Sequence, residues 1–211
     1  MPYKQTPLKL HLNASGEAES PRLVLATHNP GKVREFADLL KGLWWGEVIG
    51  AADAGLVPPE ETGGSFQANA TLKAEAACAA SGCWSLADDS GLCVDALGGR
   101  PGVDTASYGG YEKLLAALKG VGASDPTAHF VCVLSLARPN QPTLLFEATE
   151  PGHIAIAPSG EGGFGYDPVF IPTGQTRTYA QLGMAFKTQH SHRAQAFRLL
   201  GAWLFQNKIM A

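Results

Sequence analysis

The alternation of apolar and polar positions divides the first half of the chain into short strands and amphipathic helices. An apolar run at residues 23–27 has the length of a β-strand, and a polar turn at residues 28–32 follows it. A second strand is predicted near residues 47–51, and Ser65 is a cap for an alanine-rich helix that ends at about Ala80. Apolar side chains with helical spacing follow the first turn, at Val33, Phe36, Leu39, Leu40 and Leu43.

The second half is richer in predicted strands. A strand at residues 84–87 is followed by a glycine-rich loop and a helix near residues 111–118. Residues 130–137 and 144–149 have the pattern of a hairpin, and a further apolar run lies at residues 153–157. A last helix from about Ser191 has one apolar face, formed by Ala194, Phe197, Leu200 and Leu204. The order of elements predicts an α/β fold, a mixed twisted sheet flanked by helices.

Composition narrows the classes of function. The chain has 211 residues, of which 45% are hydrophobic and 17% charged, and its net charge is −3, as in a soluble globular protein. A nucleic-acid partner is not predicted, because such domains are strongly basic. A membrane span is not predicted either, because there is no run of 18 apolar residues. Residues 1–20 are polar and proline-containing, so we expect a disordered extension before one domain at residues 21–211.

The cysteines and the first residues favour a cytoplasmic protein. Cys78, Cys83, Cys93 and Cys132 form no Cys-x-x-Cys pair, and the last two lie in apolar runs. Buried free thiols are therefore expected, as in a reducing cytosol, with a Cys78–Cys83 disulfide as the alternative. The first twenty residues lack the apolar core of a secretion signal.

Two adjacent acids, Asp88 and Asp89, end the apolar run at residues 84–87 and precede Ser90 and Gly91. Adjacent carboxylates repel each other and lose solvation energy beside a core unless a cation accompanies them. The segment predicts a strand, an acidic tip and a sharp turn at Gly91, where a hard divalent metal binds oxygen ligands. The alternative is that Asp-Asp-Ser-Gly is ordinary turn chemistry.

The turn at residues 28–32 has the features of an anion site at a helix N-terminus. Asn29 offers an amide, Gly31 allows close approach and Lys32 supplies positive charge, although the Walker spacing is absent. The alternative is a simple turn in which Lys32 is solvated.

Three further polar residues are candidates for the same site. Asn69 and Lys73 are four positions apart and share a face of the alanine-rich helix. Glu61 precedes a Gly-Gly turn and is a candidate third metal oxygen. Solvated surface positions are the alternative for Lys73 and Glu61.

A glycine-bounded loop and the start of the last helix supply candidates for binding a flat ligand. Phe164 and Tyr166 can stack on a base and Asp167 can accept from a ring N–H, or the aromatics can be a core pair. Lys187, Ser191, His192 and Arg193 gather donors near the helix start, where Ser191 is also a credible cap. The carboxylates can hold Mg²⁺, the basic side chains can bind phosphates, and the aromatic rings can stack on a nucleobase. Together they predict a nucleoside triphosphate site.

With these motifs the chain resembles the inosine triphosphate pyrophosphatase family. The resemblance is carried by blocks in family order at residues 27–32, 61–63, 66–73, 87–92, 98–102, 162–168 and 187–193. It implies a two-lobed fold with the nucleotide in a central cleft. It also implies a Mg²⁺-dependent homodimer that hydrolyses ITP, dITP and XTP to the monophosphate and pyrophosphate.

The resemblance also implies roles for individual residues. Asp89, Lys32 and Lys73 are implied to be catalytic, with Asp89 as the general base. Glu61, Asp88 and Asp89 are implied to hold Mg²⁺ or orient the attacking water. The implied substrate-binding residues are Thr27, Asn29, Lys32, Asn69, Lys73, Ser90, Phe164, Gly165, Tyr166, Asp167, Lys187, His192 and Arg193.

One segment departs from the family pattern. Residues 105–108 read Thr-Ala-Ser-Tyr where many bacterial members have Ser-Ala-Arg-Tyr and then a longer acidic loop. His28 replaces a commoner small or polar residue. Two other functions stay open at this point, a relative that acts on pyrimidine nucleotides and a nucleotide-binding regulator without activity.

Overall fold

A six-stranded mixed sheet forms the centre of the computed structural model, which describes residues 21–209. The predicted extension at residues 1–20 lies outside the described residues. Neighbouring strands follow the order β2-β1-β3-β4-β5-β6. Their bounds are β1 Leu23–Leu25, β2 Val48–Gly50, β3 Trp84–Val94, β4 Thr127–Arg138, β5 Gln141–Ile154 and β6 Phe170–Pro172.

Helices cover the sheet, and two of them begin at the predicted caps Ser65 and Ser191, whereas Asn29, predicted as an amide donor, is the cap of the first helix. Asn29, Ser65 and Ser191 each accept backbone N–H groups at the first turn of their helix. The bounds are α1 Pro30–Leu40, α2 Phe66–Ser81, α3 Gly110–Gly120, α4 Tyr179–Leu182, α5 Met184–His190 and α6 His192–Gln206. The α/β prediction, with a mixed sheet between helices, is confirmed.

The sheet changes strand direction at β3. β1 pairs in parallel with β2 and with the first residues of β3, Trp84–Leu86. β3, β4, β5 and β6 pair antiparallel in turn, and β4 and β5 form the predicted hairpin in a longer version. β5 also absorbs the start of the separate apolar run predicted at residues 153–157.

The prediction of an acidic strand tip is wrong. β3 continues through both aspartates to Val94, with Asp88 and Asp89 opposite Leu134 and Val133 of β4. Gly91 lies in the strand and makes no turn. A Cβ at Gly91 would collide with the Gly102 carbonyl oxygen, the Thr105 hydroxyl and the Phe66 ring. The glycine therefore permits the close approach of a neighbouring segment.

Two large apolar clusters lie along opposite halves of the long strands. One joins β1, α1 and α6 to β3 and β4, with Phe36, Phe197 and Leu86 fully buried. The other surrounds Phe130 and Phe170 near the far ends of the strands. α2 packs on the opposite sheet face through Ala70, Ala74 and Ala77.

The four cysteines are free thiols, and Cys78 and Cys132 are buried. Burial raises the pKa of both thiols, which disfavours the thiolate. The alternative of a Cys78–Cys83 disulfide is not realised. Within residues 21–209 there is also no helix long and apolar enough to cross a membrane.

Candidate active site

The candidate site lies where the sheet opens beside β3. β1 ends at Leu25 and its pairing with β3 ends at Leu86, just before the two aspartates. A cleft of about 310 Å³ opens there. The first turn, the loop before α2, α2 itself and β3 contribute its polar lining, which includes Thr27, His28, Asn29, Lys32, Glu61, Lys73 and Asp88.

Asp88 is held by cations from two helices on one face of the sheet. Lys32 Nζ of α1 lies 2.9 and 3.0 Å from its two carboxylate oxygens, and the Ser90 hydroxyl donates to it at 3.0 Å. Arg193 Nε of α6 is 3.7 Å away. Burial alone would raise the pKa of Asp88, but the charges of Lys32, Arg193 and Lys73 outweigh it and hold the pKa well below its usual range. Asp88 is therefore a permanent anion at neutral pH.

Asp89 faces α2 on the opposite side of the strand. The Asn69 amide donates to Asp89 Oδ2 at 3.2 Å, and Lys73 Nζ lies 3.0 Å from Oδ1. Glu61 Oε1 approaches the same ammonium at 3.3 Å. Burial raises the pKa of Asp89 and Glu61 adds to the effect, while Lys73 and Asn69 oppose it. Burial lowers the pKa of Lys73, but its three acidic neighbours outweigh this and raise it.

The adjacent aspartates therefore have separate environments. Consecutive side chains of a strand point to opposite faces of the sheet. Asp88 therefore faces α1 and α6, whereas Asp89 faces α2. The pKa of Asp88 is lowered and that of Asp89 is raised. Two carboxyl groups with diverging pKa values are suited to different chemical roles.

The turn between β1 and α1 is organised around Asn29. Its side-chain oxygen accepts from Gly31 N at 2.8 Å and Lys32 N at 3.3 Å, and the Thr27 hydroxyl accepts from Asn29 N at 3.2 Å. These bonds fix the first turn of α1 at the mouth of the cleft, where its positive end attracts anions. Lys32 is bound to Asp88, so the alternative of a solvated lysine is excluded.

The predicted base-binding loop is fixed by a buried ion pair. Lys187 Nζ lies 2.6 Å from Asp167 Oδ2, and the two side chains are 5% and 4% exposed. Phe164 N–H donates to the same carboxylate at 2.8 Å, and its ring covers the ammonium at 4.6 Å. Gly165 has φ +61°, a conformation that side chains disfavour. Phe164 itself is 56% exposed and available for stacking.

Tyr166 occupies the core. It is 5% exposed, belongs to the Phe130 cluster and donates its hydroxyl to Thr105 O at 3.1 Å. This is the packing role that the sequence left open as the alternative to base stacking. The short segment at residues 105–108 is thereby tied to the loop that carries Phe164.

The start of α6 places two basic residues in the interior. The His192 ring stacks on Phe130 with centroids 4.7 Å apart, and its Nδ1 has no hydrogen-bond partner among residues 21–209. Burial lowers the pKa of His192 well below its usual value, and Arg193 and Lys187 add to the effect. His192 is therefore a neutral ring at pH 7, with a polar atom left for a ligand.

Arg193 is oriented by a residue that the sequence reasoning missed. Its Nη1 donates to both Glu35 oxygens, at 2.9 and 3.2 Å, and its Nη2 donates to Ser90 Oγ at 3.0 Å. Burial alone would lower the pKa of Arg193, but the nearby carboxylates raise it. Glu35 lies three positions after Lys32 in α1, and this shared helix face was the only local signal.

A pH effect on stability follows from the neutral state of His192. Because its folded pKa is depressed, the unfolded chain binds the extra proton first, and stability falls as pH drops below the unfolded value of about 6.5. We expect His192 to cost about 1 kcal/mol of stability between about pH 6.5 and 5.5. Urea unfolding across this pH range measures the effect. The unfolding free energy of the parent should fall by about 1 kcal/mol more than that of His192→Phe, which keeps an aromatic ring. Parallel curves for the two proteins would contradict a neutral buried His192.

Comparison with known proteins decides the family. A model of the Ham1 family matches residues 23–203, which is most of the chain. The chain belongs to the Ham1 family. A protein named dITP/XTP pyrophosphatase from Geobacillus kaustophilus is 49% identical over 188 residues, covering 84% of this chain and 91% of the relative. A protein of the same name from Rhodospirillum centenum is 50% identical over 192 residues, covering 87% and 94%.

Solved structures agree with the Ham1 assignment. A HAM1 protein from Coxiella burnetii superposes with a TM-score of 0.82 at 36% identity, covering 88% of this chain and 99% of that one. The Ham1 protein of Staphylococcus aureus gives a TM-score of 0.78 at 40% identity, covering 88% and 98%. The resemblance stated from the sequence blocks is therefore confirmed.

Proposed function

We propose that this Ham1 protein hydrolyses noncanonical purine nucleoside triphosphates, ITP, dITP and XTP, to the monophosphate and pyrophosphate. The observation that carries the proposal is a cleft lined by Lys32, Lys73 and Asp88, in which Lys32 is bound to Asp88 and Lys73 is bound to Asp89. The relatives named dITP/XTP pyrophosphatase, about half identical in sequence, support the choice of substrate.

The triphosphate is bound by the positive end of α1 and by the two lysines. Both ammonium groups are paired with aspartates in the free protein, so they are held in place before the substrate arrives. Fixed positive charges act where negative charge builds on phosphoryl oxygens as a water attacks the α-phosphorus. The Thr27 hydroxyl and the Asn29 side-chain oxygen accept backbone N–H groups of this turn and so fix its shape beside the two lysines.

Asp89 is the general base in this account. A carboxylate with a raised pKa accepts a proton from an attacking water better than one whose pKa is lowered. Asp88, which is bound to Lys32 and approached by Arg193, is too strongly stabilised as an anion for that role. Asp88 instead fixes those two cations and, with Ser90, joins α1 to α6.

The residues on the Asp89 side fit a magnesium ion. Glu61 and Asp89 already converge on one cation, the Lys73 ammonium, and the Asn69 side-chain oxygen is buried without a partner. Within residues 21–209 no three His, Cys, Asp or Glu side chains converge, which agrees with the usual Mg²⁺ sites of one or two carboxylates completed by phosphates and water. Bound Mg²⁺ would neutralise charge on the triphosphate. Asp88 was also predicted as a ligand of Mg²⁺. Because Lys32 and Arg193 already surround it, we instead propose that Asp88 positions these two cations.

The base lies against Phe164 and meets donors from α5 and α6. Lys187, His192 and Arg193 are buried close to one another, and all three can donate to a 6-keto oxygen or a phosphate. A 6-amino group would leave such donors unpaired, which discriminates against adenine. Asp167 holds Lys187 in place and, through Phe164 N–H, the stacking ring as well.

We further propose that the protein is a cytoplasmic homodimer without nucleic-acid or membrane partners.

The identity of the products tests this function. With ITP and Mg²⁺ in ¹⁸O-labelled water, we expect IMP that carries one ¹⁸O and unlabelled pyrophosphate, and no turnover with EDTA. Mass spectrometry of both products measures this outcome. Formation of IDP and phosphate, or label in the pyrophosphate, would contradict water attack at the α-phosphorus.

A further inference from the structure

His28 lies in the turn beside the phosphate-binding residues but has a different contact. Its Nε2 is 2.8 Å from the Leu56 carbonyl oxygen, in the loop before α2. A carbonyl oxygen only accepts, so Nε2 carries the proton and donates. This bond joins the turn at the start of α1 to the wall of the cleft that the loop forms.

The loop beyond Leu56 has few other attachments. Leu56 N donates to Ala51 O at 2.9 Å, but among the described backbone–backbone hydrogen bonds none involves residues 57–64. The loop is attached again at the Glu61–Lys73 ion pair, where Glu61 is 47% exposed, and at Ser65, which caps α2. Two hydrogen bonds therefore hold Leu56, at the start of this segment, and the one from His28 is the one that ties it to the phosphate-binding turn.

Glu61 depends on that attachment because it is only five residues past Leu56. Its carboxylate reaches Lys73 Nζ from a stretch without regular structure, whereas Asp89 is fixed within β3. A ligand on a loosely held loop loses conformational entropy when it binds a cation, and a fixed contact nearby reduces that loss.

We propose that His28 is a positioning residue, which latches the loop at residues 56–64 to the phosphate-binding turn and so holds Glu61 ready for the metal. The proposal rests on the proposed function for its substrate and metal. The latch itself is a property of the free protein.

Three substitutions at His28 separate the hydrogen bond from other effects of the ring. Glutamine places its amide nitrogen at the same number of bonds from Cβ as histidine Nε2, so His28→Gln preserves the donor. In His28→Asn the amide stops one bond short of Leu56 O, and His28→Ala has no donor. His28 is exposed, so all three variants are expected to fold, which thermal melting checks.

The first readout needs neither metal nor nucleotide. A glutamate-specific protease cleaves after Glu60 and Glu61, which are both exposed. We expect cleavage to be about fivefold faster in His28→Asn and His28→Ala, the effect of one ordinary hydrogen bond, and unchanged in His28→Gln. Equal rates in all four proteins would overturn the latch.

The second readout is the Mg²⁺ dependence of ITP hydrolysis. We expect the half-saturating Mg²⁺ concentration to rise about fivefold in His28→Asn and His28→Ala, with little change in kcat at saturating Mg²⁺. His28→Gln should restore the parent value. If His28→Gln is as impaired as His28→Asn, the ring itself acts and the proposal fails. If the parent releases no pyrophosphate from ITP, the proposed function fails, while the protease comparison still decides on the latch.

Discussion

Asp89→Asn should lower kcat for ITP by about 10²–10⁴-fold, the range for loss of a general base. The replacement keeps the side-chain shape but does not take a proton from water. Lys32 and the first turn of α1 keep their contacts, and Lys73 keeps its ion pair with Glu61, so nucleotide binding should persist. Steady-state kinetics with ITP gives kcat, and calorimetry with an α,β-imido analogue of ITP gives the affinity.

Asp125→Asn is the matched control, because Asp125 is exposed and does not line the cleft. It should retain parent kinetics. A parent-like kcat in Asp89→Asn would remove Asp89 from the chemistry. A loss of analogue binding equal to the loss of kcat would instead make Asp89 a binding residue only.

Lys187→Met should have the largest effect on stability. It leaves the Asp167 carboxylate buried without its cation, and breaking a buried ion pair on one side costs about 3–5 kcal/mol. Urea unfolding measures the change. Lys119→Met, at an exposed position of α3, is the control and should stay within about 0.5 kcal/mol of the parent.

The double variant Lys187→Met with Asp167→Asn tests the cause of that loss. The asparagine oxygen still accepts from Phe164 N–H, but no charge is left without a partner. Most of the lost stability should return, while ITP hydrolysis stays impaired because the donor to the base is missing. A double variant as unstable as Lys187→Met alone would show that packing of the lysine, rather than its charge, is the reason.

The caps and helices could be predicted from sequence because their signals are local. Ser65 and Ser191 each precede a helical pattern by one residue, and each caps the helix that follows. The same holds for α2, whose 16 residues end at Ser81, one residue beyond the predicted end at about Ala80. Asn29 caps α1 as the two serines cap their helices, although only its amide donor was predicted. Short-range hydrogen bonds decide these features, so neighbouring residues suffice to identify them.

The course of β3 could not be predicted in this way. Asp-Asp-Ser-Gly has the local composition of a turn, but ladder pairing with β4, about 45 residues later, keeps it extended. Gly91 is required by a contact with Gly102 and Thr105, which only the folded chain brings near. Asp88 and Asp89 point to opposite faces of the sheet, and this could be predicted only if both were known to lie in a strand.

Among the site residues, too, some features follow from local sequence and others only from tertiary contacts. The lysines and aspartates were predicted, but their pairing was not, because Lys73 looked like a surface position until α2 was packed on β3. Glu35 meets Arg193 across 158 positions of sequence, and the helix face that Glu35 shares with Lys32 does not identify Arg193 as its partner. Their geometry is set by tertiary packing.

Pyrophosphate release from ITP, XTP, GTP, ATP and dTTP, measured with Mg²⁺ and with EDTA, tests the metal-dependent reaction and the base site together. We expect fast Mg²⁺-dependent release from ITP and XTP and much slower release from ATP and dTTP, because the donors at the base fit a 6-keto purine. Comparable rates on all five nucleotides would contradict the base site while leaving the phosphate chemistry. ITP binding without release from any nucleotide would contradict the enzyme itself.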